Sequence, residues 1–259
     1  MKSYTIHLVR HGMTSANLSG EYAGMLDVPL CDEGIEQLKQ LREKYDYGKP
    51  DIIFSSPLTR CKQTVKLLYG EDAQINEVYD LHEVSVGDYE GKKATDLVND
   101  PNYMAWVRGE VAPPNGESNQ DFAKRVCTAF VRVVRDILKS GKTNAVICAH
   151  GGVIMTLLGV YGIPRQDSIN WMANNGRGFT IRVTPSIWMR TGMVEVVSEY
   201  PQGSADEPDL THNPVKESSK KLGKSMDFGV GEECKITPED ELDFDDSYDF
   251  FLADVEEKE

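Results

Sequence analysis

The sequence predicts a three-layer α/β domain built on a largely parallel sheet. Short apolar, β-branched runs alternate with segments of helical periodicity from the N-terminus to about residue 200. Charged or glycine-rich clusters close three of those runs, where a strand hands over to a loop or helix. No internal repeat is visible.

The first strand is Tyr4 to Val9, ending at Arg10-His11-Gly12. From Gly34 to Tyr45, Ile35, Leu38, Leu41 and Tyr45 fall on one face of an amphipathic helix. Asp51-Ile52-Ile53-Phe54 is a second strand, stopped by Ser55-Ser56-Pro57. Pro57 suits the first turn of a helix running to Tyr69, where its missing N–H costs nothing. Ser118-Asn119-Gln120-Asp121 has the form of a helix N-cap, and Phe122, Val126, Phe130, Val133 and Ile137 line one face behind it. Ala145 to Ala149 is a third apolar strand, stopped by His150-Gly151-Gly152 and followed by a helical run from Val153 to Val160. Phe179 to Val183 and Val194 to Val197 are the last two strands.

A chain of 259 residues, 40% hydrophobic, can bury one sizeable core. No apolar run approaches the roughly 20 residues of a membrane span, and Met1 to Thr5 leads straight into a β-branched stretch without the apolar core of a signal peptide. Five scattered cysteines without a CxxC pair argue against a disulfide framework or a zinc site, so the expected home is the reducing cytoplasm. The net charge of −14 is uneven: residues 205–259 hold 18 acidic and 6 basic side chains, while residues 1–204 hold 24 and 22. The division expected is a catalytic domain over 1–203 and a flexible acidic tail over 204–259. Within the tail, Asp243 to Leu252 mixes acids with aromatics and could dock onto the body or a partner. Neither part offers the basic face that nucleic acid requires.

In open α/β sheets ligands bind beyond the carboxyl ends of the strands. Arg10-His11-Gly12, Ser55 to Arg60 and His150-Gly151-Gly152 should therefore converge on one anion site with two arginines and two histidines. Further segments extend the pattern. Leu8 to Thr14 is followed by Asn17, then by Gly24 through Asp27-Val28-Pro29-Leu30 to Gly34. Ser55 to Arg60, Leu81-His82-Glu83, Gly87 to Gly91, Pro114 to Ser118 and Ala149 to Gly152 come next, in that order. Over residues 3–200 this series resembles the histidine phosphatase (phosphoglycerate mutase-like) superfamily; the tail has no counterpart in it.

That resemblance implies an α/β/α sandwich of phosphoglycerate mutase-like topology, with a small helical cap between Gly91 and Pro114. It implies His11 as the nucleophile that becomes phosphohistidine, with no metal or organic cofactor. Arg10, Arg60 and His150 would bind the phosphoryl oxygens, Asn17 would donate one more hydrogen bond, and Gly12 and Gly151 would keep the backbone close to the phosphate. Glu83 would protonate the leaving alkoxide and then activate water. An Asp after the second histidine takes this role in the acid-phosphatase branch; Gly151 stands there, which leaves Glu83.

Other residues read differently. His7 suits the core, Glu117 suits helix capping better than substrate contact, and His82 stays open between pocket and loop. Tyr103 and Trp106 either shape the pocket or fill the cap core, and Arg177 is a candidate second anion contact. The expected partner is a small phosphorylated molecule, with the oligomeric state left open. Phosphatase is favoured over phosphoglycerate mutase because Val84 to Gly91 lacks the Arg-x-Tyr-Gly step of the mutases. A non-catalytic phospho-ligand protein is the third reading, disfavoured by an intact set of catalytic positions.

Overall fold

Alternate side chains along the central strands bury into two different cores, so the sheet lies between two helical layers. The computed structural model describes residues 2–204, 234–238 and 240. Its strands are β1 (Tyr4–Arg10), β2 (Ile52–Ser55), β3 (Ile75–Glu77), β4 (Asn144–Ala149), β5 (Gly162–Ile163), β6 (Gly178–Val183) and β7 (Val194–Tyr200). They form one sheet in the order β3-β2-β4-β1-β6-β7-β5. β6 is antiparallel to both of its neighbours; every other pair is parallel.

The helices are α1 (Ser15–Ser19), α2 (Asp32–Lys44), α3 (Thr59–Tyr69), α4 (Ala94–Leu97), α5 (Pro101–Val107), α6 (Asn119–Ser140), α7 (Gly151–Tyr161) and α8 (Pro185–Thr191). Ile6 and Leu8 of β1 and Ala145 and Ile147 of β4 pack with α6 and α7. Their neighbours Val9, Val146 and Cys148 face the other way, onto Leu38 and Leu41 of α2 and Cys61, Val65 and Leu68 of α3. This alternation with period two is the pleat of a sheet buried on both sides. The three-layer expectation matches the structure.

α6 follows its sequence signals closely. The Ser118 side chain caps it by accepting from the Asp121 N–H at 3.0 Å, Gly141 closes it in the left-handed conformation at φ 66°, and Phe122, Val126, Phe130, Val133 and Ile137 are all buried.

Pro57 requires a correction: α3 starts at Thr59 behind Leu58 as N-cap, so the proline lies before the helix. Capping comes instead from a distant loop, where the Asp27 carboxylate accepts from the backbone N–H and the hydroxyl of Thr59, both at 2.7 Å. The strands β3 and β5 and the helix α8 were not anticipated. Strands of three and two residues carry too little sequence for any periodicity.

α4 and α5 form the cap. Tyr103 and Trp106 of α5 join Tyr22 and Tyr89 in an aromatic cluster, with ring centroids 5.3 to 6.1 Å apart and a 2.9 Å hydrogen bond between the hydroxyls of Tyr22 and Tyr103.

The tail departs from expectation where it is described. Cys234 is buried, the Tyr161 hydroxyl donates to the Ile236 carbonyl at 2.9 Å, and the Lys235 ammonium donates to the Thr191 carbonyl at 2.5 Å. Residues 234–238 thus lie against the ends of α7 and α8, held by a short apolar stretch inside an acidic one. The body also runs one residue past the expected boundary: Ser204 is buried and its carbonyl accepts from Arg177 at 3.0 Å. Asp243 to Leu252 falls outside the described residues.

Replacing Ser118 by alanine removes the partner of one N-terminal amide of α6. Urea unfolding of Ser118→Ala should show a loss of about 1 kcal/mol.

Candidate active site

The sheet ladder continues past the carboxyl ends of its central strands and fixes the backbone of the site. The His11 N–H donates to the Ala149 carbonyl at 3.0 Å, and the Ser56 N–H donates to the Cys148 carbonyl at 2.9 Å. Above these ends opens a cavity of about 100 Å³, with Arg10, His11, Asn17, Arg60, Glu83 and Gly151 on its wall. The three sequence clusters therefore do converge.

His11 is oriented by its own neighbour. Its Nδ1 lies 2.7 Å from the Gly12 carbonyl, which can only accept, so Nδ1 carries the proton and Nε2 keeps its lone pair. Behind it, the Asn175 side-chain amide donates to the His11 carbonyl at 2.9 Å. Burial holds the imidazole well below its ordinary pKa, and the positive charges of Arg60 and Arg10 push it further down. The ring is thus kept neutral, as a nitrogen nucleophile must be.

Arg60 is fully buried at the start of α3. Its Nη1 donates to the Leu26 carbonyl at 2.8 Å, its Nη2 to the carbonyls of Ala23 (3.2 Å) and Gly24 (2.8 Å), and its Nε to His150 Nδ1 at 3.3 Å. These bonds occupy four of its five N–H groups and leave one on Nη1. Arg10 is anchored by an Nη1 hydrogen bond to the Ala173 carbonyl at 2.8 Å. The Asn17 side-chain oxygen accepts from the Thr14 backbone and hydroxyl, both at 3.1 Å, and from Asn175 at 3.3 Å. Its amide nitrogen is left as the donor to the cavity.

Two expected contacts fall elsewhere. His150 lies behind the cavity wall, fully buried, with Nε2 2.7 Å from the Ser56 hydroxyl and Nδ1 accepting from Arg60. Its ring meets that of His11 edge-on at 5.2 Å between centroids. Burial, reinforced by the charge of Arg60, holds it well below the ordinary histidine pKa. His150 accordingly positions Arg60 and His11, and both of its nitrogens are used within the protein. Gly12 is also off the wall: its N–H donates to the Thr64 hydroxyl at 2.8 Å, and a Cβ there would lie 2.6 Å from Leu38. Glycine at this point allows close packing against α2.

Glu83 sits on the N-terminus of α7. One carboxylate oxygen accepts from the Val84 N–H and the other from the Gly152 N–H, each at 2.9 Å. A Cβ on Gly152 would lie 2.4 Å from that carboxylate, so the second glycine after His150 makes the seat for Glu83. Glu117 supports the same loop from behind. It forms a two-bond ion pair with Arg125 at 2.8 and 2.9 Å, and Arg125 also donates to the carbonyls of Asp80 and His82.

The remaining candidates are resolved by contact. His7 stacks on Tyr200 at 4.2 Å and bonds Thr180. His82 bonds the Glu83 carbonyl at 2.8 Å and is not on the cavity wall. Arg177 faces Ser204 and a separate cavity, which removes it as a second anion contact here. Trp106 does line the cavity, and Tyr103 fills the cap core behind it. Ser56, Thr64, Gly152 and Asn175 went without roles in the sequence reading, because single small polar residues and a second glycine carry no periodic signal. Among the described residues no cluster of His, Cys, Asp or Glu is arranged to hold a metal ion, and no helix is long and apolar enough to cross a membrane.

Comparison with known proteins identifies the family. A family profile described as the histidine phosphatase superfamily (branch 1) matches residues 6–188, and the chain belongs to that superfamily. The adenosylcobalamin/alpha-ribazole phosphatase of Salmonella typhimurium is 35% identical over 156 residues, covering 58% of this chain and 76% of that protein. A 2,3-bisphosphoglycerate-dependent phosphoglycerate mutase of Xanthobacter autotrophicus is 30% identical over 168 residues, covering 61% and 81%. The crystal structure of the alpha-ribazole phosphatase from Shigella flexneri superposes with a TM-score of 0.61 at 27% identity, over 74% of this chain and 94% of that one.

Substitution of Gly152 by alanine should displace the Glu83 carboxylate and lower kcat by ~10-fold or more, measured with a phosphate monoester at saturation. Acid should also destabilise the fold. His11 and His150 have folded-state pKa values depressed below the unfolded value near 6.5. Their contribution is complete above that pH and is lost as the unfolded chain takes up protons below it. By pH 5.5 each costs about 1 kcal/mol, readable as a falling urea midpoint between pH 7 and 5.5.

Proposed function

We propose that the protein hydrolyses phosphate monoesters through a phosphohistidine on His11. The observation that carries this reading is the neutral His11 on a cavity wall shared with Arg10, Arg60, Asn17 and Glu83. In the first step His11 Nε2 attacks phosphorus in line with the ester oxygen; the N–P bond forms and the P–O bond breaks. Arg10, the remaining N–H of Arg60 and the Asn17 amide surround the charge that develops on the phosphoryl oxygens. Glu83 enters this step as the carboxylic acid, its proton on an oxygen position beyond that oxygen's one backbone partner, and delivers the proton to the leaving alkoxide, becoming the carboxylate. In the second step it takes a proton from water as the water attacks phosphorus and His11 is released.

The superfamily includes mutases, which share this chemistry and return the phosphoryl group to a substrate. The hydrolase reading is supported by the segment from Val84 to Gly91, which lacks the Arg-x-Tyr-Gly step that follows this glutamate in the mutases.

The test is hydrolysis of para-nitrophenyl phosphate in EDTA, with 3-phosphoglycerate assayed in parallel. Activity that vanishes in His11→Ala is expected; interconversion of phosphoglycerates without hydrolysis would replace the proposal with a mutase, and silence in both would leave a binding protein. Glu83→Gln should lower steady-state turnover by about 10²- to 10³-fold. It should also leave a burst of para-nitrophenolate and an acid-labile phosphoenzyme, since this leaving group departs without a proton while hydrolysis of the intermediate still needs the base.

A further inference from the structure

The candidate phosphoryl-binding groups share the cavity wall with an apolar set, Tyr22, Val84, Val86, Trp106, Met155 and Met172. Among the described residues Arg10 and Arg60 are the only lysine or arginine side chains on the wall, and Arg60 has a single N–H left after its bonds to three carbonyls and His150. A phosphorylated acid would bring a second anionic group to a wall on which, among the described residues, no lysine or arginine besides Arg10 and Arg60 stands to receive it.

That surface also holds a carboxylate. Glu21 is half-buried on the wall and has no hydrogen bond or ion pair to its side chain among the described residues. Lys93 stands across from it in an isolated antiparallel bridge without pairing to it. Such a carboxylate accepts hydrogen bonds from hydroxyls and repels anions at short range, where screening is weakest.

Resting on the phosphatase reading above, we infer that the site selects monoesters whose leaving alcohol is uncharged and carries an apolar or aromatic face, and that Glu21 is the residue that turns away a second anion. The phosphoryl dianion is held by Arg10 and Arg60. The apolar wall gains from covering a ring or hydrocarbon face, and Glu21 leaves room for hydroxyl donors at the margin.

The test uses the full-length protein and three alkyl esters whose leaving alcohols have similar acidity: ethyl phosphate, phenethyl phosphate and para-carboxyphenethyl phosphate. Phenethyl phosphate should exceed ethyl phosphate in kcat/KM by about tenfold. It should exceed its carboxylated form by about tenfold as well. Glu21→Gln should narrow the second ratio to about twofold, and Glu21→Lys should invert it, with the first ratio kept in both. Equal or better turnover of the carboxylated ester, no gain from the phenyl group, or a second ratio unchanged in both variants would overturn the inference while leaving the hydrolase intact. Failure to cleave any of the three, together with para-nitrophenyl phosphate, would remove the phosphatase reading and this inference with it.

Discussion

The site depends on a guanidinium buried without a carboxylate. Arg60 has no solvent exposure, and its described hydrogen bonds go to three carbonyls and a neutral imidazole. A buried cation ordinarily needs an opposite charge, or a full set of acceptors, to offset the water it gives up. Here the acceptors come from the loop at Ala23, Gly24 and Leu26, and the opposite charge is the one a phosphate would bring. Much of the surrounding design follows. His11 and His150 must stay neutral beside it, and the loop must present its carbonyls inward. Asp27, one residue past that loop, also caps α3 through Thr59 and so fixes the helix that carries the arginine.

Much of this was legible in the sequence, and what was not has definable causes. The central strands and α6 were readable because burial on a regular lattice imposes a period, as in Phe122, Val126, Phe130, Val133 and Ile137. The convergence of Arg10, His11 and Arg60 was readable because the carboxyl ends of parallel strands share one edge. The place of His150 was not. Which way a side chain turns at a strand end depends on partners such as Ser56 and Arg60, which the sequence does not place in space. The start of α3 differs from expectation for a related reason: Pro57 is a local signal, but the Thr59 amide and hydroxyl are satisfied by Asp27, thirty-two positions away along the chain. The docked piece of the tail escaped notice because Cys234, Ile236 and Pro238 are too few to stand out against acidic surroundings.

Glu83 and His11 are held by different means. His11 is fixed by the sheet, through its backbone bond to Ala149 and its ring bond to Gly12. Glu83 is fixed by a helix terminus, and its loop is braced by Arg125 and Glu117 from α6 and the segment before it. The two approach one cavity from separate scaffolds. The spacing between His11 and Glu83 is therefore set by the packing of α7 on β1 and β4 rather than by any single loop. The cap, by contrast, meets the cavity through aromatic and aliphatic side chains, which can vary without disturbing that spacing.

Were a phosphoryl group to sit among Arg10, Arg60 and Asn17, these residues would meet the same kind of oxygens whether the group is esterified or free. On the hydrolase reading, inorganic phosphate is then a competitor as well as a product. The pace of the enzyme becomes tied to how much phosphate its surroundings already hold, and relief from that competition must come from the apolar wall that free phosphate cannot use.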